Sequence, residues 1–480
     1  MPRALAIATF GVTGLVLAAS PVAADNVDYY ATANGSVATT DNANGAARSS
    51  EAGGPVQNPK GDVFADVRPG FLITYLAPRM IHELNSEVDF IYHFGDTRPD
   101  VTFRGAWKSF FIPTPRSELS TSIEGSQGQL NALSASANPL ESATQVVPPG
   151  RVDTANVSFS ENLSWVASEG SRVWQRAFGR YTKTLDELVI AGTKAPDVRT
   201  LSGEVGAAIG IDHSFRHDTL LLEAGGSYVD MEKQDPGMRQ MGSRHDRQWN
   251  PRGVVVWQHD INKRWSTNFD GCVVYVMPTG VDEYNPDQER KAAPFPVFGG
   301  VVAYTDVWGR VQAAARRQVT PNLFIAQNTV SDSLNITGAM PITILDQDSQ
   351  KRAPKVVGLG TIGIERTHLI DPITSETSGR FNVARIDVGV GWSPRPGQTV
   401  GLRYELMYQN GDQIAGMQVP DFLRNTFYFT FALRWPEELQ VRVPRRGQSV
   451  RADRKDQAPL GAEPVIVDPQ EFLEGGGSER

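Results

Sequence analysis

The chain has 480 residues, of which 40% are hydrophobic and 21% charged. Those fractions exclude wholesale disorder, and a mean hydropathy of −0.30 excludes a bundle of membrane helices. A net charge of −8, from 46 basic and 54 acidic residues, gives no basis for nucleic-acid binding, and a single cysteine, Cys272, excludes an internal disulfide and any multi-cysteine metal site.

Taken in chain order, Arg3 precedes an apolar run from Ala4 to Ala19, and Pro21-Val22-Ala23-Ala24 leads to Asp25. A basic start, an apolar core and a small-residue exit predict a secretory signal peptide over 1–24. Residues 25–67, rich in Ala, Asn, Gly, Ser and Thr, read as a flexible periplasmic leader, and 113–152 as a long polar loop. The organised part is 68–436, and 437–480 is a polar periplasmic tail with a basic cluster at Arg442, Arg445, Arg446, Arg451, Arg454 and Lys455.

Within 68–436 the hydrophobic period is two. Phe427, Phe429, Phe431, Leu433 and Trp435 alternate with Thr426, Tyr428, Thr430, Ala432 and Arg434, so one strand face is apolar and the other largely polar. The rule repeats at 399–409, 383–392, 204–212, 219–228 and 265–275, and earlier around Phe103 and Trp107. Short turns such as Pro394-Arg395-Pro396-Gly397 alternate with longer polar loops. Strands are expected near 69–78, 85–94, 99–111, 153–166, 171–182, 202–215, 218–230, 247–260, 264–276, 302–317, 321–330, 334–342, 355–366, 380–393, 399–410 and 424–435. These make about 16 strands, with a range of 14–18.

A soluble sandwich would bury the apolar face against a second sheet; a transmembrane barrel would give it to lipid and enclose the polar face. Aromatic residues near the ends of the apolar faces favour the barrel, as interfacial girdles do. So does one unbroken period over the whole span, because closure leaves no exposed edge. The fold class is therefore all-β, a transmembrane antiparallel up-and-down barrel.

On these features, the dyad strands, the Pro394–Gly397 turn and the closing strand Phe427–Trp435, the chain resembles Gram-negative outer-membrane β-barrel, porin-like proteins over 68–436 together with the signal peptide. A looser likeness, to barrels of surface-polysaccharide export, rests on layout alone. The resemblance implies the cell outer membrane as location, its lipid as partner alongside periplasmic export or assembly proteins, and a closing strand whose terminal aromatic is read during assembly. Residues 436–480 follow that aromatic, which departs from the usual chain end.

Enzyme chemistry finds little support. Gly358-Leu359-Gly360-Thr361-Ile362-Gly363 fits a dinucleotide fingerprint in spacing, but it lies in an extended run with no helix to follow. His213 and His217 flank a turn and read as surface histidines. No His-Glu-x-x-His or Gly-x-Ser-x-Gly motif occurs. No catalytic residue, metal ligand or cofactor is assigned. What remains is the polar face: Arg403, Glu405, Arg385, Asp387, Asp270, Glu223, Glu204, Asp212, Asp306, Arg310, Arg316, Arg104 and Arg434 are candidates to line a lumen. Phe427, Phe429, Phe431, Trp435, Trp392 and Trp265 are expected to face lipid. With 16–18 strands a barrel can hold an aqueous channel. The expected function is a channel for polar solutes, ions or an exported polysaccharide. The alternative is a closed barrel whose long loops serve as a scaffold or adhesion surface.

Overall fold

A computed structural model describes residues 27–42, 61–95, 99–130, 152–185, 189–190, 193–194, 199–234, 244–279, 291–306, 308–322, 327–342, 355–370, 377–395, 397–411, 413–414, 417–418 and 421–435. The signal peptide and the polar tail expected from the sequence lie outside the described residues.

Every described element is a strand. In chain order they are β1 (Val27–Thr40), β2 (Asp62–Ala77), β3 (Met80–His93), β4 (Asp100–Thr114), β5 (Ser117–Leu130), β6 (Val152–Ser168), β7 (Ser171–Leu185), the two-residue β8 (Val189–Ile190) and β9 (Thr193–Lys194), β10 (Arg199–Ser214) and β11 (Asp218–Gln234). Then follow β12 (Arg244–Asp260), β13 (Trp265–Thr279), β14 (Ala293–Asp306), β15 (Gly309–Asn322), β16 (Gln327–Pro341), β17 (Val356–Ile370), β18 (Thr377–Arg395), β19 (Gln398–Gly411), the two-residue β20 (Gln413–Ile414) and β21 (Met417–Gln418), and β22 (Phe422–Trp435). The four short strands form two separate ribbons, and the other eighteen form one sheet. Each of these pairs antiparallel with the next, and β1 also pairs with β22, from Ala31↔Trp435 to Thr40↔Thr426, so the sheet closes on itself.

The closed sheet settles the choice between sandwich and barrel. The apolar face points away from the enclosed space: Trp435 is 73% exposed and Phe427 58%. Tight turns crowd one end of the barrel, here the turn end; at two of them Gly170 (φ 76°) and Gly397 (φ 72°) occupy the left-handed region that a side chain disfavours. Most of the longer connections leave from the other, loop end; the one between β16 and β17 leaves from the turn end.

Two strands exceed the sequence expectation. The stretch read as a leader contains β1, and the stretch read as a polar loop contains β5. Both are built from small and polar residues, so their own hydrophobic signal is weak. In a barrel only the outward half of a strand must be apolar, and neighbours supply part of that cover: the Phe431 ring on β22 lies over Gly35 of β1. Between 293 and 341 the number of strands is as expected but their bounds shift, because the tight turn falls at Asp306–Gly309 rather than at Val319–Asn322.

Candidate functional site

Directly paired residues share a face of the sheet, so the inward set can be followed strand to strand. Glu405 pairs with Asp387 and Thr426, Thr426 with Thr40, and Ser36 on that same face of β1 with Asp66. Farther round, Asp89 pairs with Thr102, Arg104 with Ser126, Arg176 with Asn162, Gly210 with Glu223, and Asp270 with Gly299. Arg403, Glu405, Arg385, Asp387, Asp270, Glu223, Glu204, Asp212, Arg310, Arg316, Arg104 and Arg434 all have this inward parity.

Asp306 does not. It shares the outward face of β14 with Tyr304, whose ring packs against Trp265 at 4.7 Å. The Tyr304 hydroxyl donates to it at 3.0 Å and Arg264 pairs with it at 3.1 Å, so it belongs to the outer rim of the turn end. The aromatics lie on the expected face: Phe427, Phe429, Trp435, Trp392 and Trp265 are exposed outward, and Phe431 is half-buried there by its contact with Gly35.

The inward charges gather into ion-pair groups. On β18, β19 and β22, Glu405 is met by Arg385 at 2.8 Å, Arg403 at 3.1 Å and Arg424 at 3.3 Å, while Arg403 also clasps Asp387 and lies 5.0 Å over the Tyr428 ring. On β2–β4, Arg68 joins Asp66 and, at 3.4 Å, Asp89, which Arg104 approaches at 3.8 Å. A third group centres on β7: Arg172 reaches Glu118 at 3.3 Å, Arg176 reaches Glu223 at 2.6 Å, and Arg180 reaches Glu204 at 3.2 Å. Arg252 on β12 joins Glu223 at 3.3 Å, and Arg316 stands 4.0 Å from Asp270.

Sequence reasoning missed several members of these groups. Asp66 and Arg68 fell in or beside the supposed leader. On β7 the signal was present as arginines at 172, 176 and 180, every fourth residue and hence one face. It was masked because Trp174 and Phe178 share that inward face, lying over Gly210 and Gly206 of β10, while Gln175, Ala177 and Gly179 face outward.

The two ends of the lumen differ. Toward the loop end the inward side chains have almost no accessible surface: Gln409, Glu405, Thr426, Thr367 and Met231 are at 0%. Lower down, beside β4–β6, the wall is wet. Lys108 and Glu124, 3.7 Å apart, keep 59% and 49% of their side-chain surface exposed, and Ser160 and Asn162 on the same wall are exposed too. Hydroxyls continue along it, with Ser122 and Ser160 hydrogen-bonded at 2.7 Å and Asn156 donating to Ser126 at 3.3 Å.

Other candidates resolve structurally. The glycine-rich run 358–363 lies wholly within strand β17. His213 is bonded to Ser171 at 2.6 Å, and Cys272 is buried on the inner wall against Val254 and Val297. Among the described residues no group of histidine, cysteine and carboxylate side chains has the arrangement of a metal site.

No family model matches the chain, and no curated protein does. Solved structures similar to it include Pseudomonas aeruginosa OpdO, at 9% identity and TM-score 0.43 over 86% of this chain and 98% of that one. OpdK from the same organism, solved with vanillate, is similar at 9% identity and TM-score 0.42 over 85% and 99% of the two chains. OpdL of that organism gives 11% identity and TM-score 0.41 over 86% and 100%. Eighteen strands without an edge, an apolar belt outside and a charged, hydroxylated wall inside make this chain a closed antiparallel β-barrel of the membrane-spanning kind.

Proposed function

We propose that the chain is a channel through which small polar solutes and ions cross the outer membrane. The observation that carries this reading is the wet wall of β4–β6, where Lys108 and Glu124 stay accessible inside a closed barrel. Serine hydroxyls and asparagine amides along that wall can exchange hydrogen bonds with a passing solute, and fixed charges of both signs discriminate among polar species. The packed inward side chains of the loop end support a bore that narrows there, so size selection falls at that end. Such a bore favours small solutes over a polymer. Passage of this kind is driven by the solute's own gradient, and no reaction is assigned to the barrel.

Planar-bilayer recording of the purified, folded protein tests the reading. Discrete current steps are expected, together with liposome swelling that falls off as the sugar offered grows larger. Absence of steps from an inserted sample with heat-modifiable gel migration would overturn it and leave the barrel as a scaffold for its loops.

A further inference from the structure

The outer wall carries a carboxylate in the middle of its apolar belt. From the turn end upward, the outward positions of β6 are Trp165, Leu163, Glu161, Phe159 and Val157, and Val157 pairs with Tyr181 of the loop-end girdle. Other outward charges stand at the rims, as Asp230 and Arg247 do, or in a pair, as Arg317 and Asp332 do at 3.5 Å. Acyl chains offer no hydrogen-bond donor, so a carboxylate at this depth calls for a polar partner.

Beside Glu161 the wall is hollowed. Glu161, Gln175, Ala177, Ala207, Ile209 and Ala224 line a depression of about 400 Å³, rich in alanine and completed by Arg176 of β7 and Ala208 of β10. Depth along the membrane normal decides what can meet Glu161. The row of directly paired residues through it begins at His82, stacked on Trp107 of the turn-end girdle. It passes Thr121, Glu161 and Ala177 and ends at Pro251, next to the loop-end Trp249. The row therefore climbs at each strand, by about 3 Å for strands ~4.8 Å apart and tilted by roughly 40°. Gln175 lies two residues below Ala177 on β7, about 5 Å along the normal at that tilt. The climb and the descent nearly cancel, so Glu161 and Gln175 stand side by side at one depth.

We propose that this face is the contact between two copies of the chain, related by a twofold axis along the membrane normal. Rotation about the normal preserves depth, so an acceptor and a donor at equal depth are self-complementary under it. Glu161 of each copy accepts a hydrogen bond from the amide of the other copy's Gln175, an isologous contact, and the alanines of the depression let the two backbones approach.

Native mass spectrometry of protein extracted in mild detergent tests this, with heat-modifiable migration confirming that each sample is folded. Wild type is expected as a dimer. Ala207→Trp, which fills the depression, and Gln175→Leu, which removes the donor, should each raise the dissociation constant at least tenfold. Glu161→Gln, which leaves an amide pair, should remain dimeric. With Cys272→Ser as background, Glu161→Cys should cross-link into a covalent dimer. A folded monomer at every concentration, a dimer indifferent to both Ala207→Trp and Gln175→Leu, or a complex whose mass requires a different protein would each overturn the proposal.

Discussion

Trp174 of β7 lies over Gly210, its cross-strand partner on the inner wall, and a Cβ at Gly210 would run into the indole. Gly210→Val should therefore displace the ring from the wall. The expected loss of stability is about 1–3 kcal/mol, as for other overpacked sites, read as a lowered urea midpoint in detergent. Gly253→Ala, where a Cβ meets nothing within 4 Å, is the control and should leave the midpoint in place.

Glu405 anchors three arginines in a fully buried position, so its charge cannot be removed alone. Glu405→Gln should destabilise the barrel by about 3–5 kcal/mol, because Arg385, Arg403 and Arg424 lose their shared counter-charge. Combining Glu405→Leu with Arg424→Met should cost less than the sum of the two single changes, since each one alone already breaks the ion pair they share. Unfolding midpoints of the four proteins complete the cycle; strict additivity would mean that the two groups do not interact.

How much of this was legible follows from which face carried the signal. Fourteen of the sixteen strands expected from the sequence have counterparts in the barrel, because a phenylalanine or tryptophan every second residue, as from Phe427 to Trp435, has few other uses; the other two, 302–317 and 321–330, run across the connections that flank β15. The same rule is blind to β1 and β5, whose outward residues are alanine, glycine and threonine, and it points the wrong way on β7. There two large rings sit inside because glycines on β10 leave space for them, which is information held on a different strand. Asp306 failed for a related reason: beside a turn, charge alone does not tell rim from lumen, and only the face of Tyr304 does.

The accessible pair Lys108 and Glu124 should set ion preference if the bore conducts. Lys108→Glu places two carboxylates where an ion pair stood, and the reversal potential under a salt gradient should move toward cation selectivity. The shift should shrink as ionic strength rises, because exposed charges are screened within about 10 Å at 0.1 M. An unchanged reversal potential in a conducting barrel would place Lys108 off the pathway.

Asp41 fastens the first strand to the last. Its carboxylate accepts from the Asn425 backbone N–H at 2.8 Å and from the Asn425 side-chain amide at 2.6 Å, while its own N–H donates to the Asn425 carbonyl at 3.2 Å. Asp41→Ala should remove two of these bonds at about 1 kcal/mol each. Amide exchange should quicken at the loop ends of β1 and β22 and stay unchanged at β12 and β13.

The pairing of β1 with β22 also governs the order in which this molecule can be made. The ribosome makes Val27–Thr40 long before Phe422–Trp435, so β1 lacks its β22 partner until nearly all of the described sheet has been synthesised. A nascent chain in that condition is adhesive. A gene truncated before Phe422 would yield an open ribbon that clumps rather than a smaller cylinder.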